Sequence, residues 1–215
     1  MTQATTGLRA LKKRRTREKI SHEATRLFLE RGFDNVTIAD VAAAAQVAKM
    51  TVTNYFPRKE DLALDLAGVF VEMPADAVRG RAPGESALAA LRRAFLAAAA
   101  GHDPVIGFSG LPFARMVTDS PALVARLREF HDLREKALAQ ALAEETGAAP
   151  DDIRPRVAAA LLGGVHRLLF EETLRLTLDG RGNDEIARIV TAQARTAFAT
   201  LEPALGDYAV RPTAR

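Results

Sequence analysis

Lys49, Met50, Thr51, Thr53 and Asn54 fall on the outward side of one short helix, and a Tyr55-Phe56-Pro57-x-Lys59 exit follows them. Ammonium, amide, hydroxyl and methyl-bearing side chains on one exposed turn are groups that can reach into a DNA groove. The major groove offers base edges with a distinguishable pattern of donors, acceptors and methyls. A helix-turn-helix lays its second helix there. The chemistry that these residue types and spacings suggest is recognition.

Catalytic chemistry finds little footing. His22, His102, His131 and His166 are widely separated, and no His-Glu-x-x-His, Gly-x-Ser-x-Gly or phosphate-cradling glycine loop occurs. Glu171 and Glu172 are adjacent on a helix and point to different faces, a poor carboxylate pair. The chain has no cysteine, which removes a disulfide framework, a thiolate nucleophile and a Cys-based zinc site. No enzyme activity, metal or cofactor is expected.

The elements around the outward residues follow from local signals. Thr37 is a good N-cap, and Asp40 three residues on completes a capping-box pattern. Ile38, Val41, Ala42 and Ala45 recur at helical spacing, and Val47 is expected as the buried plug of a turn. A second helix over about 48–55 turns Val52 and Phe56 inward, and Pro57 ends it. A new helix starts near Arg58 or Lys59. Upstream, residues 14–31 carry Ile20, Ala24, Leu27 and Phe28 on one stripe, with Gly32 as C-cap. These three helices make a small bundle over residues 14–58.

The run RLFLERGFDNVTIADVAAAAQVAKMTVTNYFPRKEDL resembles the N-terminal DNA-binding domain of the tetracycline-repressor (TetR) family. Leu-Phe-x-x-x-Gly-Phe, Thr-Ile-x-Asp-Val-Ala, Val-x-Lys-x-Thr-Val and Tyr-Phe-x-x-Lys-Glu-x-Leu occur in order, over roughly residues 14–65. The resemblance implies that Thr37 offers its N–H and hydroxyl to a phosphate at a helix start. It implies phosphate contacts from Lys49, Tyr55 and Lys59, and base-edge contacts from Met50, Thr51, Thr53 and Asn54. Three residues depart from the family pattern: Gln46 where Gly is usual, Ala48 where Ser commonly caps, and Thr53 where an aromatic residue is frequent. A non-Gly residue in the left-handed turn costs on the order of 1 kcal/mol.

Charge is distributed to match. Residues 1–60 hold 12 Lys and Arg against 6 Asp and Glu, a net +6, and the remainder holds 18 against 21, a net −3. A basic first quarter favours DNA through counterion release. Residues 1–13 read as a flexible basic arm, and the Lys12-Lys13-Arg14-Arg15 run spans its junction with the first helix. Apolar residues at 48% and charged residues at 27% indicate a globular chain. The N-terminus shows no apolar signal region, and the longest apolar stretch, Val157 to Val165, is far short of a membrane span. A soluble, cytoplasmic protein with no membrane partner is expected.

The rest reads as helix after helix, with no convincing strand, so the class is all-α. Expected helices cover about 59–73, 85–100, an irregular 105–118, 121–146, 150–179 and 183–204. Residues 59–205 form the second domain, and residues 206–215 a tail. The last two helices are apolar on more than one side: Ala158, Leu161, Leu162, Val165, Leu168 and Leu169 wrap widely around one, and Ile186, Ile189, Val190, Ala194, Ala197, Phe198 and Leu201 around the other. A surface helix of a monomer needs a single stripe, so a homodimer through these helices is expected. TetR-like proteins dimerise in this way. An effector cavity is expected among Phe70, Phe95, Phe108, Phe113, Met116, Phe130, His131, Arg134, His166 and Phe170, because a mostly apolar cavity with a few polar groups suits a small molecule. The expected function is a repressor that binds a palindromic double-stranded operator and is released by a small, largely apolar effector. The alternatives are a ligand-independent regulator, an activator, or a helical protein scaffold.

Overall fold

The computed structural model describes residues 2–213, with side chains from residue 10 onward. Every regular element among these residues is helical: α1 (Thr2–Arg31), α2 (Ile38–Ala45), α3 (Lys49–Tyr55), α4 (Lys59–Ala63), α5 (Ala67–Arg79), α6 (Ala87–Ala100), a 3-10 turn (Pro104–Ile106), α7 (Leu111–Asp119), α8 (Pro121–Thr146), α9 (Arg154–Leu178) and α10 (Asn183–Leu205).

The chain divides into two compact units. The first holds residues 1–65 and 115–126, and the second residues 66–114 and 127–215. The expected boundary at residue 59 therefore falls inside the first unit, and a later segment joins it. That segment contains the first six residues of α8.

In the first unit, α1 packs on α2 and α4, and α2 packs on α3. Ile20, Ala24, Leu27 and Phe28 of α1 are buried, as are Val41, Ala42 and Ala45 of α2, Val52, Phe56 and Leu62. Phe33 folds back to lie 5.0 Å from Phe28. Residues 2–13 continue α1 and do not form a separate arm. Met1, and Ala214 and Arg215 of the tail, lie outside the described residues.

The expected single helix over 59–73 is two helices. Leu64 closes α4 by donating its N–H to Glu60. The Asp65 carbonyl accepts from Arg17 Nη2 at 3.2 Å, and the Asp65 carboxylate accepts from the Ser21 hydroxyl. A carbonyl occupied by a side chain of α1 is drawn away from a continued helical ladder. Pro74 does not end α5, which runs on to Arg79 with Pro74 buried inside it. A proline there supplies no N–H one turn back, yet burial of Phe70, Ala75 and Val78 along the same helix holds the geometry.

In the second unit, α10 packs on α6 and α9, and α5 packs on α6. Leu88, Leu91, Phe95, Leu162, Val190 and Phe198 are at the centre of its core. Gly107 (φ 109°) closes the 3-10 turn, and a Cβ there would sit 3.0 Å from Thr173 and 3.2 Å from the Phe170 carbonyl. This backbone approaches α9 closely only because the residue is glycine. α9 begins at Arg154, with Pro155 in its first turn, rather than at Pro150. The expected C-terminal tail is tied down: the Gly84 N–H donates to the Arg211 carbonyl and the Arg211 N–H to the Glu85 carbonyl.

Candidate nucleic-acid interface and effector site

α2 starts as its sequence suggests. Thr37 Oγ1 accepts from the Asp40 N–H at 3.2 Å, and the Asp40 carboxylate accepts from the Thr37 N–H at 2.8 Å. The Thr37 hydroxyl also donates to Asp40, at 2.6 Å. Hydrogen bonds from the Thr37 side chain and backbone hold the Asp40 carboxyl below the usual carboxylate range. Both Thr37 groups expected at a phosphate are therefore engaged within the capping box.

The turn departs from glycine without changing shape. Gln46 adopts φ 55° and ψ 47°, the left-handed region, and its N–H closes onto the carbonyls of Ala42 and Ala43. Lys19 Nζ reaches the Gln46 side-chain oxygen at 3.5 Å. Val47 is only partly buried, so it is a weaker plug than expected. Ala48 caps α3 with no side-chain hydrogen bond.

The outward face of α3 separates into free and committed groups. The side chains of Lys49 and Asn54 are exposed and form no hydrogen bond or ion pair among the described residues, and Met50 is 70% exposed. Thr51 and Tyr55 are half-buried. The Thr53 hydroxyl donates back to the Met50 carbonyl at 3.1 Å, a local bond that Thr readily makes inside helices, so it is not a free base-edge donor. The Lys59 ammonium sits 4.3 Å over the Phe33 ring and 3.5 Å from the Asp34 carbonyl, so it is docked. Arg17 supports this face from behind. Its Nη1 donates to the Tyr55 carbonyl at 3.1 Å, and its Cζ lies 4.2 Å over Phe56. Nothing local in the sequence marks Arg17, because its partner Tyr55 lies 38 residues away.

The second unit brings together six of the ten expected effector residues. Phe70, His131 and Phe170 form a triangle of edge-on rings with centroids 5.0, 5.5 and 5.6 Å apart. The Arg134 guanidinium lies 4.6 Å over Phe70, and its Nη2 is 3.3 Å from His166 Nδ1. The His166 ring is flanked by Phe95 at 5.9 Å and Phe198 at 5.7 Å. Phe198 is absent from the expected set because it reads as core of the last helix. Phe108 pairs instead with His102, 5.3 Å away, while Phe130 is buried and Phe113 half-buried in the same unit. Met116 falls in the segment that groups with the first unit, so it does not belong to this cluster. Two open surface grooves of about 430 Å³ each lie along the end of α8 and around Tyr208, and neither is lined by an expected effector residue.

Burial dominates the titration of these groups. It pushes His131 down to about 4, with the charges of Arg134 and Arg167 adding to the effect. His166 is held well below 6.5 by burial first, then by Arg134 and His131. Burial lowers Arg134 to about 10, so it stays charged at neutral pH.

Residues 20–66 match the profile described as "Bacterial regulatory proteins, tetR family", and residues 85–179 match the "MftR C-terminal domain". The "HTH-type transcriptional regulator TcmR" of Streptomyces glaucescens is 33% identical over 172 residues, which span 77% of this chain and 76% of that protein. The chain belongs to the TetR family. It is a TetR-family DNA-binding transcriptional regulator, and its family and relative are regulators rather than enzymes. The TetR-like fold recurs in Salmonella enterica GusR (19% identity, 89% of this chain and 95% of that one, TM-score 0.52). It recurs in a TetR-family regulator from Syntrophomonas wolfei (18% identity, 86% and 96%, TM-score 0.56).

Proposed function

We propose that this chain is a repressor that binds a palindromic operator as a homodimer and releases it when a small, largely apolar molecule occupies the second unit. The exposed face of α3 carries the DNA part of this reading. Lys49 and Asn54 have no competing partner, and Met50 stands out into solvent. Lys49, Tyr55, Lys59 and Thr37 take the phosphate-contacting roles. Lys59 must first leave the Phe33 ring, and Thr37 must exchange an Asp40 bond for a phosphate oxygen. Asn54, Met50 and Thr51 face base edges, and Thr53 offers only its methyl. A bacterial regulator of this kind acts in the cytoplasm, and no helix among the described residues is long and apolar enough to cross a membrane.

The outward side of α9 supports a dimer. Ala158, Leu162 and Leu169 point into the core, whereas Val157, Leu161 and Leu168 are 47%, 41% and 60% exposed. A helix with a second apolar stripe in water calls for a covering surface. α10 contributes less than its sequence suggested, because Ile189 and Leu201 pack against the chain's own core. For control, α8 carries Arg126, which pairs with Asp61 of α4 at 2.8 Å, and eight residues later Arg134. A ligand that displaces α8 would load that ion pair beside the helix-turn-helix.

The test is selection of fragments from random duplex DNA with purified full chain, followed by footprinting. Paired half-sites with centres about 34–36 Å or a multiple apart are expected. Protection of one unpaired half-site per bound protein contradicts the reading. Control is tested by titrating a ligand with and without saturating DNA, since a ligand that weakens DNA binding must itself be weakened by the same factor.

A further inference from the structure

Two arginines are almost fully buried in the second unit, and their surroundings differ. Arg81, 1% exposed, donates to Glu145 at 2.6 Å, to the Val78 carbonyl at 2.6 Å and to the Ala209 carbonyl at 2.9 Å. Arg134, 3% exposed, has no carboxylate within ion-pair reach among the described residues. Its neighbours are the His166 ring and the Phe70 face.

Arginine only donates hydrogen bonds, so His166 Nδ1 must accept, and the neutral ring must then carry its proton on Nε2. That Nε2–H is buried and meets no acceptor among the described residues, and Arg134 Nε–H is in the same position. Burial disfavours protonation of His166 and His131, so neither adds positive charge, and neither can neutralise the guanidinium. Buried charges are ordinarily paired, and buried donors ordinarily find acceptors. A cation and two unmet donors inside an aromatic cluster lack an oxyanion.

We propose that Arg134 and His166 anchor the carboxylate of an effector whose apolar body lies against Phe70, Phe95 and Phe170. This rests on the effector-controlled reading above and narrows its ligand to an organic acid. Arg134 supplies the charge and a planar fork suited to a carboxylate. His166 supplies a neutral donor, and the rings exclude water from the pair.

The test compares 1-naphthoate and decanoate with 1-naphthamide and decanamide, by calorimetric titration of the full chain at pH 7. Each acid should bind at least tenfold tighter than its amide. Arg134→Gln should bring that ratio close to one, and Arg134→Lys should keep part of it. A second measurement needs no ligand: Arg134→Met should leave Tm unchanged or raise it, whereas Arg81→Met, which strands Glu145, should lower it. The proposal is overturned by equal affinities for acid and amide, by a ratio that survives Arg134→Gln, by failure of all four probes to bind, or by Arg134→Met lowering Tm as far as Arg81→Met. Release of selected DNA, measured in the same samples, separates the two readings. Acids that bind without releasing DNA refute effector control and leave the anchor standing. Amides that release DNA as well as the acids do refute the anchor and leave effector control standing.

Discussion

Arg17 of α1 donates from Nη1 to the carbonyl of Tyr55, the last residue of α3, across 3.1 Å. The same guanidinium donates to the Asp65 carbonyl at 3.2 Å and lies over the Phe56 ring. One planar group thus fixes the exit of α3 and the break after α4. Arg17→Ala should destabilise the first unit by about 1–3 kcal/mol, the range for charge-assisted hydrogen bonds plus a cation–π contact. Arg17→Lys should recover less than half, because an ammonium cannot span both carbonyls from over the ring. Urea denaturation, with hydrogen exchange of the α3 amides, reads the effect. An Arg17→Ala protein as stable as the parent would show that packing of Val52 and Phe56 is sufficient.

Positioning and reading of DNA should separate by residue. Lys49→Ala should weaken binding to all sequences and reduce the salt slope by about one. Asn54→Ala should relax preference at particular base pairs, by about 1–3 kcal/mol if Asn54 pairs bidentately with adenine. Thr53→Val should leave the selected motif unchanged, because the hydroxyl already belongs to the Met50 carbonyl. The readout is the motif selected by each variant together with affinity at two salt concentrations. A uniform loss from Asn54→Ala with an unaltered motif removes it from the base-reading set.

The helix-turn-helix retains two local weaknesses that substitution should repair. Gln46→Gly removes a left-handed Cβ and should stabilise by up to about 1 kcal/mol, less whatever the 3.5 Å contact from Lys19 supplies. Ala48→Ser supplies the missing cap and should add about 1 kcal/mol. Thermal melts of the single and double variants check both, and a loss of stability from Gln46→Gly would mean that the Lys19 contact outweighs the backbone strain.

Most of the first unit was legible because its signals are local. The Thr37 cap, the Val41 and Ala45 stripe, the left-handed Gln46 and the Pro57 stop each involve residues within one or two turns. What escaped depends on distant partners. Arg17 meets Tyr55 and Asp65, which splits the expected helix over 59–73. Pro74, a breaker by local rules, is carried inside α5 by burial. In the second unit, the concentration of aromatic residues with a few polar ones put Phe70, His131, Arg134, His166 and Phe170 in one candidate set. Spacing could not show that Phe108 turns to His102 or that Phe198 completes the wall beside His166. The unmet donors on Arg134 and His166 are likewise a property of packing.

The exposed stripe of α9 should prove to be an interface. Leu168→Glu puts a charge where an apolar contact is expected, on a side chain that leaves 60% of its surface uncovered within one chain. The fold of the single chain should survive, because Leu162 and Leu169 on the other side fill the core. Sedimentation should show the parent as a dimer and Leu168→Glu as a folded monomer with unchanged helicity. Affinity for a two-half-site DNA should fall with dimerisation, since a monomer engages one half-site only. Two species sedimenting alike would refute α9 as the interface.

Stability should fall on mild acidification. His131 and His166 are neutral when folded, with His131 lowered to about 4 and His166 well below 6.5, in both cases chiefly by burial. Unfolded, each takes up a proton near the ordinary value of 6.5. Between these values the unfolded chain binds more protons, so unfolding free energy rises with pH. The contribution is fully present above about 6.5 and is lost as pH falls toward 4, by at most about 1.4 kcal/mol per pH unit per histidine. Carboxylates act lower. Glu172, held at about 2 by Arg175 and Gln193, loses its contribution only as pH drops from its ordinary 4.5 toward that value. Urea unfolding at pH 7.5, 6.5, 5.5 and 5.0 should therefore show a decline confined to the part of the range below 6.5. His131→Phe, which keeps an edge-on ring against Phe70 and Phe170, should reduce that slope by about half, one of the two titrating groups having been removed. A flat profile from 7.5 to 5.0 would mean that both imidazoles protonate in the folded state as readily as in water, and an unchanged slope in His131→Phe would mean that His131 contributes nothing to it.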